Sequence, residues 1–90
     1  MTDPIPTGDA SLTAQDIAAQ VTALIIDLLA VDAAQATPEA EFAADLGADS
    51  LDMVDLTMEV EDRFDVEISD DEAAAVRTVG DAIALVERKL

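Results

Sequence analysis

Apolar residues recur every three or four positions in the first third of the chain, which is the spacing of one helix face. The residues of this face are Ile17, Val21, Leu24, Ile25 and Leu28. Before them, Thr13 and Asp16 fit a capping box in which Asp replaces the usual Glu. The pattern predicts a first helix from Thr13 to about Ala30. Residues 1–12 carry Pro and Gly without periodicity and predict a flexible leader.

The segment from Leu51 to Phe64 has no Gly or Pro and predicts a second helix, with Ser50 at the point where the preceding loop becomes helical. Successive residues lie about 100° apart around a helix, so its apolar residues fall into two stripes on nearly opposite sides. The stripe that we expect in the core contains Met53, Leu56, Val60 and Phe64. The second stripe is Leu51, Val54 and Met58, framed by Asp55, Glu59, Glu61 and Asp62.

An apolar seam in an acidic frame is typical of a surface that docks a partner, and a Met in it suits adaptable contacts. The alternative is that neighbouring helices bury both sides of the second helix.

Two further capping boxes lie near the end of the chain. Ser69 and Glu72 predict a short third helix that ends at about Val76, and Thr78 and Asp81 predict a fourth helix. On the fourth helix, one face is formed by Val79, Ile83, Val86 and Leu90.

The connection over residues 31–49 is long for a compact domain. Phe42 and Leu46 are its best candidates for core anchors. Thr37 and Pro38 would suit the start of a short helical turn near Pro38 to Phe42, so such a turn, a functional role, or both would account for its length. The prediction is a single all-α domain over residues 13–90. It is a small four-helix bundle with three main helices, a short third helix and a long loop between the first and second.

The chain carries 21 acidic and 4 basic residues among its 90, for a net charge of −17. This charge repels phosphate backbones and anionic lipids, so we expect no nucleic acid and no membrane insertion. It would steer the protein towards basic patches on partner proteins. The alternative is that the charge only keeps the protein in solution.

Cys and His are both absent, which excludes disulfides, a Ser-His-acid triad and a His-ligated metal site. The acidic residues do not follow the spacing of an EF-hand loop, so we expect no dedicated metal site. Ser50 remains as the notable hydroxyl. A helix N-terminus favours a phosphate group, although Ser at such a position is more often an ordinary helix cap.

The run from Phe42 to Asp52, with Asp49-Ser50-Leu51 after a Leu-Gly-Ala turn, resembles the prosthetic-group site of acyl carrier proteins. The resemblance continues through Glu61 to Ile68 and reaches Thr78, so it covers nearly everything after the leader. Thr57 and Glu59 depart from it, since these positions are often small or apolar in carriers for fatty acid synthesis.

The resemblance implies that a phosphopantetheinyl transferase moves 4′-phosphopantetheine from coenzyme A to Ser50. The protein would then carry acyl thioesters for fatty acid biosynthesis as a cytoplasmic monomer that is not itself an enzyme. Its partners would be acyl-transferring, condensing and reducing enzymes with basic docking patches. The implied docking residues are Leu51, Val54, Asp55, Met58, Glu59 and Asp62. The implied lining of an acyl cavity is Val54, Ile68, Ala73 and Val76.

Two alternatives stay open beside fatty acid synthesis. One is a carrier for polyketide, peptide or special lipid assembly. The other is an acidic helical interaction module without a prosthetic group.

Overall fold

The structure is a computed structural model that describes residues 14–90. Four α-helices occur in that range: α1 (Ala14–Leu29), α2 (Ser50–Phe64), α3 (Asp70–Ala75) and α4 (Val79–Lys89). The described range contains no β-strand, only an isolated bridge between Glu41 and Thr78. The predicted all-α bundle with a short third helix and a long first loop is confirmed. The predicted leader and the Thr13 cap lie outside the described residues.

The core forms where α1 packs against α2 and α4. The predicted stripe of α1 is buried from Ile17 to Ile25, whereas Leu28 is half-buried. On α2, Met53 is half-buried and the rest of the predicted core stripe is buried. The side chains that are most completely enclosed are Val21, Ile25, Val79 and Val86. Each contributes about 1.5–3 kcal/mol by leaving water, so these side chains hold α1 and α4 together.

The predicted core face of α4 is partly wrong. Leu90 is 56% exposed, because it lies beyond Lys89, the last residue of the helix, and so leaves the apolar stripe. Leu85, which the predicted face omitted, is buried beside Val86. The buried face of α4 is therefore wider than a single stripe, since it also closes an inner cavity described below.

The loop over residues 31–49 contains turns but no helix. The Ala40 N–H donates to the Thr37 carbonyl over 3.0 Å, so one turn forms where it was predicted to start, but it does not continue to Phe42. A helix there would pair the Phe42 N–H with the Pro38 carbonyl. Instead, the Phe42 N–H donates to the Arg77 carbonyl over 2.9 Å, and the Pro38 carbonyl accepts from the Gly80 N–H over 2.9 Å. The Val79 N–H also donates to the Ala40 carbonyl over 3.0 Å. The start of α4 thus takes the backbone partners that a local helix would use.

Side chains of the loop also enter the core. Phe42 and Leu46 are buried, which confirms them as anchors. Three small residues of the loop, Ala36, Ala40 and Ala48, are buried as well. At Gly80 a Cβ atom would lie 3.0 Å from the Pro38 carbonyl oxygen, so the absence of a side chain permits the close approach of the loop.

Helix α3 buries none of its residues, and polar contacts help to hold it, together with Ile68 and Val76 on either side, which pack against the core. The predicted Ser69 and Glu72 capping box is present at its start. Just before it, the Ile68 N–H donates to Glu61 Oε2 over 2.8 Å. Lys89 Nζ lies 2.8 Å from Glu72 Oε1, which connects α3 to the end of α4. The hydrogen bond from Lys89, with help from the Ser69 backbone, lowers the pKa of Glu72 to about 2.

The Glu72 carboxylate therefore favours the folded state above its unfolded pKa near 4.5, and this contribution is lost as the pH falls towards 2. We expect Lys89→Met to raise the pKa of Glu72 and to flatten the pH dependence of the free energy of unfolding within that window. Urea unfolding at a series of pH values measures the effect. Low protein concentration is needed because the pI of about 4.1 lies inside the window.

Arg88→Met is the matched control, because Arg88 lies on the same helix turn and makes no ion pair within residues 14–90. It removes the same charge and should leave the slope between pH 2 and 4.5 as it is in the unmodified sequence. Equal slopes for both variants would contradict the assigned role of Lys89.

Candidate functional site

Helix α2 begins at Ser50, but its N-cap is Asp49. The Asp52 N–H donates to Asp49 Oδ1 over 2.9 Å, and the Asp49 N–H donates back to Asp52 Oδ2 over 3.1 Å. This is a reciprocal capping box built from two Asp residues. The interpretation of Ser50 as an ordinary helix cap is therefore wrong, because the neighbouring residue already fills that position.

The Ser50 hydroxyl is free for chemistry as a result. Its side chain is exposed and makes no hydrogen bond to any other described residue. The N–H groups of Ser50 and Leu51 also lack acceptors among residues 14–90. Free amides at the positive end of a helix favour a phosphate group, and the nearby carboxylates of Asp49 and Asp52 are already engaged in the cap. The first turn of α2 thus fits a phosphodiester on Ser50 Oγ.

The second apolar stripe of α2 faces outward. Leu51, Val54 and Met58 are 74%, 54% and 59% exposed, so the alternative that neighbouring helices bury both sides of α2 is wrong. The stripe is continuous with Ser50 at the start of the helix.

The acidic residues that frame this stripe differ in their surroundings. Asp55, Glu59 and Asp62 are exposed. Glu61 is half-buried, and its carboxylate accepts the Ile68 N–H, so it fixes the segment before α3 instead of standing free. The exposed face thus offers three free carboxylates around three apolar side chains.

A groove of about 500 Å³ runs between α2 and α3, with Ser50 at one end. Behind it lies an inner cavity of about 20 Å³, which is room for about one water molecule. Five residues line both spaces and form the threshold between them: Met53, Thr57, Ile68, Ala73 and Val76. The predicted lining residues Ile68, Ala73 and Val76 thus lie together at the threshold. Val54 lines only the outer groove.

Thr57 and Glu61 have roles at this groove that the sequence pattern did not reveal. Thr57 sits between the two apolar stripes and its Oγ1 donates to the Met53 carbonyl over 2.9 Å. The sequence signal for Thr57 is that a polar residue stands where carriers for fatty acid synthesis often have a small or apolar one. Glu61 looked like one more member of an acidic surface, and its backbone partner is set by tertiary structure that no local pattern encodes.

Residues 14–90 contain no group of three or more His, Cys, Asp or Glu side chains placed to hold a metal ion. None of the four helices described above is long and apolar enough to cross a membrane.

Comparison with known proteins shows the family of the chain. Residues 19–86 match the family model described as the phosphopantetheine attachment site. The chain is also similar to the solved structure of an acyl carrier protein from Enterococcus faecalis, with 30% sequence identity and a TM-score of 0.75. That match covers 88% of this chain and 100% of the other. The chain therefore belongs to the phosphopantetheine-binding family as an acyl carrier protein, a carrier that bears covalent 4′-phosphopantetheine and is not itself an enzyme.

Proposed function

We propose that Ser50 Oγ is the attachment point of the 4′-phosphopantetheine, and that the protein carries acyl intermediates on it as thioesters. The free hydroxyl at the start of α2 carries this proposal, because a capping Ser would have its oxygen engaged by the backbone. The chain has no Cys, so the thiol needed for a thioester must come from the prosthetic group. The arm supplies that thiol, and the protein positions the arm and is the part that partner enzymes recognise.

The attachment reaction would join Ser50 Oγ to the phosphorus of the arm donated by coenzyme A. As the oxygen attacks, the bond from that phosphorus to the bridging oxygen of the coenzyme A diphosphate would break, adenosine 3′,5′-bisphosphate would leave, and the Ser50 proton would pass to a base of the transferase. Within this chain, the Ser50 and Leu51 amides would donate to the resulting phosphodiester. The capping box between Asp49 and Asp52 would keep these amides in place during the reaction.

The outward stripe of α2 and its three free carboxylates support a role in docking. Basic patches on a phosphopantetheinyl transferase and on acyl-transferring, condensing and reducing enzymes would meet Asp55, Glu59 and Asp62. Leu51, Val54 and Met58 would then leave water at the contact, which adds apolar burial to electrostatic steering. Because Leu51 follows Ser50 directly, a docked partner would have its active site next to the arm.

The acyl chain would occupy the groove between α2 and α3, with Ile68, Ala73 and Val76 along its path and Val54 at the rim. We further propose fatty acid biosynthesis as the pathway, the cytoplasm as the location and a monomer as the working form. A carrier for polyketide, peptide or special lipid assembly is the second candidate, favoured by the polar side chain of Thr57 in the groove.

Intact-mass spectrometry after incubation with coenzyme A, Mg²⁺ and a broad-specificity phosphopantetheinyl transferase tests the attachment site. We expect the protein without substitutions to gain the mass of one phosphopantetheine and Ser50→Ala to gain none, because the substitution removes the oxygen that accepts the group. Ser11→Ala and Ser69→Ala are controls, since these are the other serines of the chain. Full modification of Ser50→Ala would overturn the assignment.

Neutralisation of the three exposed carboxylates on α2 tests the docking face. We expect the triple variant Asp55→Asn, Glu59→Gln and Asp62→Asn to lower kcat/KM of the transferase by about tenfold at low ionic strength, because each lost charge pair is worth about 0.2–1 kcal/mol. The difference should shrink in high salt, which screens exposed charges.

The matched control is the triple variant Asp27→Asn, Glu39→Gln and Glu87→Gln, which makes the same change in net charge at exposed positions on α1, the loop and α4. It should keep kcat/KM within about twofold of the unmodified value, since exposed pairs away from the contact contribute little. Equal losses for both triples would show that only the overall charge matters, against a docking face on α2.

Incubation of the loaded protein with the malonyl-transferring, condensing and reducing enzymes of a fatty acid synthase distinguishes the two pathways. Stepwise mass gains that correspond to saturated chain extension support fatty acid biosynthesis. A protein that is loaded but is not extended would favour the second candidate.

A further inference from the structure

Among the described residues that line the inner cavity, Thr57 is the one that is polar. The remaining lining is apolar and comes from α2, α3, α4 and the segments beside α3. The residues that line this inner space without reaching the outer groove are Leu56, Val60, Ala82, Leu85 and Val86. Thr57 itself lies at the threshold, so any chain that passes from the groove into the cavity passes its side chain.

The hydroxyl of Thr57 has a defined hydrogen-bonding state. Its O–H donates a hydrogen bond to the Met53 carbonyl, and no N–H or O–H group from residues 14–90 donates a hydrogen bond to its oxygen. Such a bond to the preceding turn is common for Thr in helices. It leaves Oγ1 as an acceptor at the entrance of an apolar space, where a bound group that can donate would be preferred over one that can only accept.

We propose that Thr57 makes the threshold selective for acyl chains that carry a β-hydroxyl, whose O–H would donate to Thr57 Oγ1. This inference rests on the proposed attachment of the arm to Ser50. With the arm in the outer groove and the tail of the chain directed inward, the carbons next to the thioester lie at the threshold. A saturated chain would leave Oγ1 without a partner. A β-keto oxygen can only accept a hydrogen bond, and the Thr57 O–H already donates to the Met53 carbonyl.

Entry of a chain requires the inner cavity to widen, since its present volume suits about one water molecule. Helix α3 is the element that can move at least cost, because it buries no residue. Its movement would change the polar contacts that Glu61 and Glu72 make at this end of the bundle. Its movement would leave α2 in place, and with it the bond between Thr57 and Met53. The Thr57 acceptor is thus kept when α3 moves, while Ile68, Ala73 and Val76 set the width of the threshold beside it.

Thioester protection tests the inference. The protein is loaded with octanoyl or β-hydroxyoctanoyl phosphopantetheine from the coenzyme A derivatives, and loading is verified by intact mass. Cleavage by hydroxylamine is then followed, and each rate is divided by that of the same thioester on free pantetheine, which removes differences in intrinsic reactivity. We expect about fivefold stronger protection of the β-hydroxyoctanoyl chain, the size of one net hydrogen bond.

Thr57→Val removes the hydroxyl and keeps the shape, so it should abolish the fivefold difference while octanoyl remains protected. Thr57→Ser retains the acceptor and should retain the preference. A preference that persists in Thr57→Val, or one that is absent in the unmodified sequence, overturns the inference. These results require loaded protein, so a failure of loading at Ser50 is recognised separately by mass and counts against the proposed function.

Discussion

The backbone connection between the long loop and the start of α4 is the constraint on which the site depends. Hydrogen bonds from Phe42, Val79 and Gly80 N–H groups fasten the loop across the bundle, and the buried Phe42 ring fixes its position in the core. The Ala48 N–H then donates to the Phe42 carbonyl over 2.8 Å, which holds the last residues of the loop. Because the loop is fixed there, α2 begins at a set place and presents Ser50 beside the α2–α3 groove.

At the start of α2, helix capping and the proposed phosphate attachment fall on two neighbouring residues, because one Ser hydroxyl could not serve both. Asp49 caps the helix, and the next residue keeps an exposed hydroxyl together with the free amides that suit a phosphate. The same helix buries one stripe against α1 and exposes the other in an acidic frame. The proposed attachment, docking and groove lining therefore all depend on α2, while α3 buries none of its residues.

The helices could be predicted from sequence because their signals are local: apolar spacing gave α1 and α2, and capping boxes gave the starts of α3 and α4. The errors arose where tertiary contacts decide. Pro38 and Phe42 lose their local helical pairing to α4, and Leu90 lies beyond the end of its helix. Ser and Asp are equally good helix caps, so position alone does not decide between Asp49 and Ser50, and only the geometry distinguishes them. Thr57 lies at the threshold because residues of α3 and α4 line the spaces beside it, and the sequence pattern of α2 contains no information on that packing.

Urea unfolding of Asp49→Ala and Ser50→Ala, measured side by side, tests most directly whether Asp49 caps α2 and leaves the Ser50 hydroxyl free. The account predicts that Asp49→Ala lowers the free energy of unfolding by about 1 kcal/mol, because it removes the acceptor for the Asp52 N–H. Ser50→Ala should change it by less than about 0.5 kcal/mol, since its hydroxyl supports no other group. The reverse order, with Ser50→Ala the more damaging substitution, would contradict the account.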